Sequence, residues 1–293
     1  MYQKKSPKPV KPDDFISNDV KVSSPPTIFL LINETINNPR SSVMDIASII
    51  SGDQGLTARL LRLANSPLYG FPSRIETITQ AVTILGTHQI NDLVLATTVL
   101  KFFERIPKDL IEIKSFWHHS IACGLSARVL ATYRREANVE RFFVAGILHD
   151  IGRLIIYTKM PEQSFELLVR SKKQGELMYK VEREMMGFDH ADVGGALLQK
   201  WKLPLSIKEM VWFHHRPASA MHFPGETAVI HVSDIIAHAM QLGSSGEGFV
   251  PPLEAKAWEY IGLSASILSP AMNQIEQQFA ETIKMLQMDA END

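Results

Sequence analysis

The chain has 293 residues, 45% hydrophobic and 21% charged, enough for one large or two modest domains with a full core. A formal net charge of −2 gives no global basic field, so nucleic acid is not an expected partner, and the single cysteine, Cys123, excludes an internal disulfide and a cysteine-based zinc site. No apolar run approaches the roughly 18 residues of a membrane helix, and Met1 to Pro12 is Lys- and Pro-rich without the apolar stretch of a secretory signal. A cytoplasmic protein with no membrane contact is the expectation.

Residues 1–24 hold three prolines, several lysines and little apolar content, the composition of a disordered tail or linker. Order is predicted from Pro25-Pro26 onward. Thr27 to Asn37 carries Ile28, Leu31, Ile32 and Thr35 on one face of a first helix. Ser42 to Ser51 reads as a second. Gly52-Asp53 breaks the chain and caps a third, Gln54 to Ala64, which Asn65-Ser66-Pro67 stops. Thr77 to Leu85 and His88 to Phe103 follow around Gly86, so that 25–106 reads as a helical unit of its own.

Beyond Pro107 the helical period continues through 107–242. Ser115 to Ala131 is long and amphipathic, Val139 to Leu148 runs into the pair His149-Asp150, expected to set an imidazole and a carboxylate side by side on one helix, and Leu154 to Lys159 ends before Pro161. Glu162 to Gln174, Leu177 to Met186, Asp189 to Trp201, Leu205 to His215 and Thr227 to Leu242 complete the series. The last segment, 243–293, opens on a Gly/Ser/Pro-rich loop and closes with helices over 254–261 and 264–288. Alternating stretches of the kind a strand needs are scarce, and the predicted fold class is all-α.

Of the ten histidines, five (His119, His149, His190, His214 and His215) recur in a spaced set accompanied by two acids, Asp150 and Asp234. That is a ligand inventory for a buried site of one or two metals assembled from several helices. Imidazole nitrogen is a borderline ligand and a carboxylate can bridge two ions, a combination that suits Fe, Mn, Zn or Ni. Any one of these histidines alone would read as an ordinary core residue bonded to a neighbour. His118 reads as outward-facing or capping, and His88, His222, His231 and His238 lack a motif partner. His231, Asp234 and His238 nevertheless share a helical face by spacing, which makes His238 a supporting candidate.

Several stretches together resemble the HDOD domain, the regulatory relative of the HD phosphohydrolases. They are Leu60-Leu-Arg-Leu-Ala-Asn-Ser-Pro-Leu-Tyr-Gly70, Ile78-Thr-Gln-Ala-Val-Thr-Ile-Leu-Gly86, and Phe116-Trp-His-His-Ser120 with His149-Asp150. Asp189-His-Ala-Asp-Val-Gly-Gly-Ala-Leu-Leu198 with Trp201 and Leu203-Pro204, and His214-His215-Arg216-Pro217, agree with it, so that the match spans roughly residues 24–240. The resemblance implies an N-terminal helical subdomain packed on an HD-like helical core. It also implies a bacterial signalling context, with signalling proteins as partners and a small phosphorylated molecule as a possible ligand.

In the register of that family, His119, His149, Asp150, His190, His214, His215 and Asp234 match the ligand positions of a di-iron HD phosphodiesterase. The resemblance therefore implies one or two divalent transition metal ions, iron first and Mn, Zn or Ni after it. In that picture Asp150 bridges, His119, His149 and Asp234 complete one ion, and His190, His214 and His215 hold the other. Glu182 matches a family acid that would orient a ligand histidine, against the alternative of a solvated helix charge. Arg153 stands where the enzymes carry a lysine, and the chain lacks the Gly-Tyr-Pro run of cyclic-diguanylate hydrolases after its paired histidines. The leading expectation is a regulator acting through protein contacts. The alternatives are a metal-dependent phosphohydrolase of a nucleotide or cyclic nucleotide other than cyclic diguanylate, and a helical scaffold with vestigial histidines.

Overall fold

Local capping sets the helix starts. Ser42 and Asp45 form a reciprocal capping box, as do Thr77 with Gln80 and Asp189 with Asp192, while Asp53 accepts from the Leu56 amide. The computed structural model describes residues 11–17, 25–66, 68–102 and 110–287. Among these every regular element is helical. The N-terminal half comprises α1 (Pro12–Ser17), α2 (Thr27–Asn37), α3 (Val43–Ser51), α4 (Gln54–Ala64), α5 (Ile78–Leu85) and α6 (Thr87–Phe102). The core follows with α7 (Ile113–Tyr133), α8 (Glu140–Leu148), α9 (Ile151–Lys159), α10 (Pro161–Gln174), α11 (Met178–Met186), α12 (His190–Lys200), α13 (Leu205–Trp212) and α14 (Pro224–Ala239). Two last helices, α15 (Ala257–Ile261) and α16 (Leu268–Gln287), return across the molecule, α16 lying against both α7 and α4.

The two halves share a wall. Helix α6 is apolar around much of its circumference, with Leu93, Val94, Leu95, Ala96 and Val99 all buried, and it packs on α2, α4 and α5 on one side and on α8 on the other. Within the core, α7 and α8 make the most extensive helix–helix contact, and they meet through glycine. A Cβ on Gly146 would lie 2.5 Å from the Cα of Gly124, so the two backbones touch where any side chain would force them apart.

The structure revises four sequence expectations. The tail over 1–24 does not hold for residues 12–17, which form α1 and bury Phe15 and Ile16 against α12 and α9, Phe15 edge-on to Phe188 at 5.5 Å. Residues 1–10 and 18–24, the turn residue Pro67, and the expected helix ends Phe103 and Met288 lie outside the described residues. The helix predicted over Leu205 to His215 stops at Trp212, leaving His214 and His215 in a turn. The helix predicted from Thr227 begins at Pro224, whose fixed φ suits a first helical turn, and ends at Ala239 before Gln241 takes a φ of 55°. Finally, His149 and Asp150 are not on one helix; they form the turn between α8 and α9. Adjacent residues on a straight helix point about 100° apart, so the break is what lets both side chains enter the same space.

Candidate metal centre

Five segments bring the site together. His119 comes from the middle of α7, His149 and Asp150 from the α8–α9 turn, and His190 from the first position of α12, directly after the Asp189 cap. His214 and His215 follow α13, and Asp234 and His238 lie one turn apart on α14. All seven predicted ligand candidates converge. Their ligand atoms form overlapping groups, His119 with His149 and Asp150, His190 with His214 and His215, and His119 with Asp234 and His238.

Asp150 sits between these groups and presents one oxygen to each side. Its Oδ2 lies 3.4 Å from His149 Nε2 and 3.8 Å from His119 Nε2, while Oδ1 lies 2.9 Å from His190 Nε2. Asp234 Oδ1 is 3.1 Å from His119 Nε2, 3.3 Å from His238 Nε2 and 3.5 Å from His149 Nε2. His215 Nε2 approaches His190 Nε2 to 2.9 Å.

The outer nitrogens are held by the protein. His149 Nδ1 and His214 Nδ1 each lie 2.7 Å from a backbone carbonyl, of Gly146 and Val211 respectively, and His190 Nδ1 lies 2.6 Å from Glu182 Oε2. Donation from these nitrogens leaves each Nε2 lone pair facing inward, the arrangement that supporting groups give to metal-binding histidines. Glu182 is buried and also accepts from the His190 amide, so it is an orienting group here and not a solvated charge. Arg153 is buried as well, and its Nε donates to Asp150 Oδ1 at 3.0 Å.

Electrostatics divide the ligand histidines into two sets: against burial, His149 and His190 are raised by the groups beside them, carboxylates among them, and the other three are lowered by burial. Burial opposes ionisation of Asp150, but Arg153, His149 and His190 outweigh it and hold the carboxyl well below the usual range. Burial pushes His119 down to about 4 and carries His214 and His215 well down, assisted by neighbouring histidines, which keeps all three neutral and able to ligate. Burial and Arg153 oppose the charging of His190, yet Glu182 and Asp150 raise it to about 9.

The donor set fits a divalent transition metal. The buried inward atoms His119 Nε2, His149 Nε2, His214 Nε2, Asp150 Oδ2 and Asp234 Oδ1 make no well-formed hydrogen bond among the described residues, close as some of them lie to one another. Unpaired buried polar atoms each cost about 1–3 kcal/mol, and five converging on one space are explained by a cation that they share. The site is closed. His119, His149, His190 and His214 are 0% exposed, Asp150 1%, Asp234 3% and His215 8%.

Three supporting residues were not assigned this role from sequence. Tyr179 stacks on His215, with ring centroids 4.2 Å apart and planes at 17°, and covers the most exposed ligand candidate. His231 lies with Nδ1 2.7 Å from the His214 carbonyl, and its Nε2 accepts from the Glu254 amide, tying the α13–α14 connection to the chain before α15. Gly152 lets α9 approach α12, where a Cβ would lie 2.0 Å from the His190 carbonyl oxygen. Only a glycine in a His-Asp-x-Gly order hinted at that approach. Gly152→Ala is therefore expected to force α9 and α12 apart and to cost at least the roughly 1–3 kcal/mol of an overpacked core. Thermal melting together with metal content measures it, and a variant as stable and as metal-loaded as wild type would contradict this packing.

A family model for the HDOD domain matches residues 22–217. The crystal structure of an HDOD domain protein of unknown function from Geobacter sulfurreducens superposes with a TM-score of 0.77 at 24% identity, covering 94% of this chain and 96% of that one. A candidate phosphohydrolase from Shewanella amazonensis SB2B superposes with a TM-score of 0.71 at 25% identity, covering 89% and 94%. An uncharacterized protein of Treponema pallidum (strain Nichols) is 27% identical over 263 residues, 89% of this chain and 48% of that protein. The chain thus spans about half the length of that curated relative.

Proposed function

We propose that this chain, which belongs to the HDOD family, is a signalling regulator that acts through protein contacts and holds one or two divalent transition metal ions at its centre. Burial of the site supports this reading, because all seven ligand candidates are at most 8% exposed and leave little access for a substrate. His119, His149 and Asp234 would hold one ion, His190, His214 and His215 a second, with Asp150 shared between them and iron the first expectation. Bound there, the metal would supply cross-links among five chain segments. In this reading 25–106 is the family's regulatory half, 107–242 the metal-bearing core, and 243–293 a closing segment.

The surface offered to partners is a rigid loop. Asn65 donates to the Leu61 and Ile75 carbonyls and accepts from the Ile75 amide, each at 2.7 Å, which pins both ends of the turn carrying Phe71 and Arg74. Co-purification from the native host with wild type and with a Phe71→Ala, Arg74→Ala double variant tests the proposal. A partner retained by wild type and lost by the variant is expected; no specific partner in either preparation would count against it.

Hydrolysis is the second reading, favoured by the complete ligand set and by the name of the Shewanella relative. A screen of phosphomonoesters, diesters and cyclic nucleotides against metal-loaded protein separates the two, and turnover lost in His149→Ala would favour it. For cyclic diguanylate no product is expected. Arg216 and Pro217 follow the paired histidines, and Arg153 puts a forked guanidinium, engaged by Asp150, where a point-charge lysine would meet phosphate. Chromatography of an incubation with the nucleotide checks this, linear or mononucleotide product above the His149→Ala control being the contrary result.

A further inference from the structure

A second polar recess lies away from the metal centre, where the N-terminal helices meet the core. It is a cleft of about 380 Å³ between α2, α6, the start of α8 and the α12–α13 connection. That volume is at the lower end of the roughly 300–1,000 Å³ typical of small-molecule sites. Its apolar lining includes Phe29, Leu95 and Leu203, and its polar lining is unusual in holding three asparagines, Asn33, Asn91 and Asn138.

Two of its polar side chains each carry one buried atom with no hydrogen-bond partner among the described residues. Asn91 is only 7% exposed and its Oδ1 has no hydrogen-bond partner among the described residues; its Nδ2 reaches Asn33 Oδ1 only at 3.5 Å. Arg141 Nε is likewise buried without a partner, although its Nη2 donates to Glu136. Asp92 accepts from Asn138 Nδ2 at 3.2 Å, and His88 and Lys202 add an imidazole and an ammonium to the lining.

Lys202 carries a separate signal. It has a φ of 56° and closes α12 in a turn where the Leu203 amide donates to the Leu198 carbonyl and the Lys202 amide to Gln199. Glycine is the residue that this left-handed position favours, so the lysine stands here against the backbone preference.

We propose that this cleft binds a nucleoside monophosphate. Asparagine side chains present a donor and an acceptor together, the complement of a heterocyclic base edge, and the buried Asn91 amide has an acceptor to spare. Asp92 is placed to accept from ribose hydroxyls, Lys202 and Arg141 supply positive charge for the phosphate, and His88 offers a ring nitrogen beside them. The recess is too small for a cyclic dinucleotide. Because its walls come from both halves of the chain, a ligand there would tie the regulatory half to the core.

Calorimetric titration of the metal-loaded full chain with AMP, GMP, CMP and UMP, and with inorganic phosphate as a control, tests the assignment. Saturable binding of at least one nucleotide, tighter than phosphate, is expected. Lys202→Gly, which suits the backbone, and Asn91→Ala should each weaken it about tenfold, the loss of one charge-assisted or buried hydrogen bond. His149→Ala should leave it unchanged. No saturable binding to wild type, phosphate binding as tightly as every nucleotide, or binding that survives Lys202→Gly but disappears in His149→Ala would overturn the proposal. Metal content measured on the same samples reports on the metal centre independently.

Discussion

Asp150→Ala is expected to strip the protein of bound metal and to lower its melting temperature by on the order of 10 °C, whereas His118→Ala should do neither. Two losses add in the first variant. A metal present at 100 to 1,000 times its dissociation constant stabilises the native state by about 2.7–4.1 kcal/mol, and that contribution disappears with the ligand. Arg153 then keeps its charge in a buried position with its carboxylate partner gone, at a further cost of about 3–5 kcal/mol. In a chain of this size each kcal/mol moves the melting temperature by about 2–4 °C or somewhat less. His118 is the immediate neighbour of His119 on α7, but it turns away from the centre and meets Phe279 edge-on at 5.8 Å. Elemental analysis and thermal melting of both variants check the contrast. Equal effects from the two substitutions would mean that the ligand register is wrong.

A truncation starting near Ser115 is expected to aggregate. It removes α6, whose Leu93, Val94 and Val99 are each 0% exposed, and so uncovers the α8 face beneath them. It also removes α4, against which α16 lies. Each fully buried aliphatic or aromatic side chain contributes about 1.5–3 kcal/mol, so the loss of several matches or exceeds the roughly 5–15 kcal/mol that stabilises a whole domain. Size-exclusion chromatography and light scattering of the truncated chain measure this. A soluble, monomeric, metal-loaded fragment would instead mean that the core folds independently of the N-terminal half.

Local signals in the sequence located most helices, and the seven residues that the family register singled out come together in the fold. Asp53, Thr77 and Asp189 cap the helices they were expected to start, because capping is written in residues three apart. The family register aligned Glu182 with His190, and the spacing on one helical face drew attention to His238, which lies 3.3 Å from Asp234. What escaped depends on contacts between distant segments. Helix α1 has only Phe15 and Ile16 to bury, too little for a periodic signal, and its surroundings come from residues such as Phe188. Arg153 stands out as a supporting candidate by its place after the His-Asp pair, but its burial and its bond to Asp150 emerge only in the fold. The α13 helix is drawn too long because the helical pattern continues through His214-His215, whereas the end of α8 at Leu148 agrees with the sequence. The break before those two histidines is set by the convergence of their side chains on one space.

The central claim is that these converging histidines and aspartates hold metal. Elemental analysis of wild-type protein purified without chelator tests it most directly. The account predicts one or two transition metal ions per chain, iron foremost, retained through gel filtration and lost in Asp150→Ala. Wild-type protein that is folded and carries no stoichiometric transition metal, even after refolding with Fe, Mn, Zn or Ni, would contradict it and leave the histidines as packing alone.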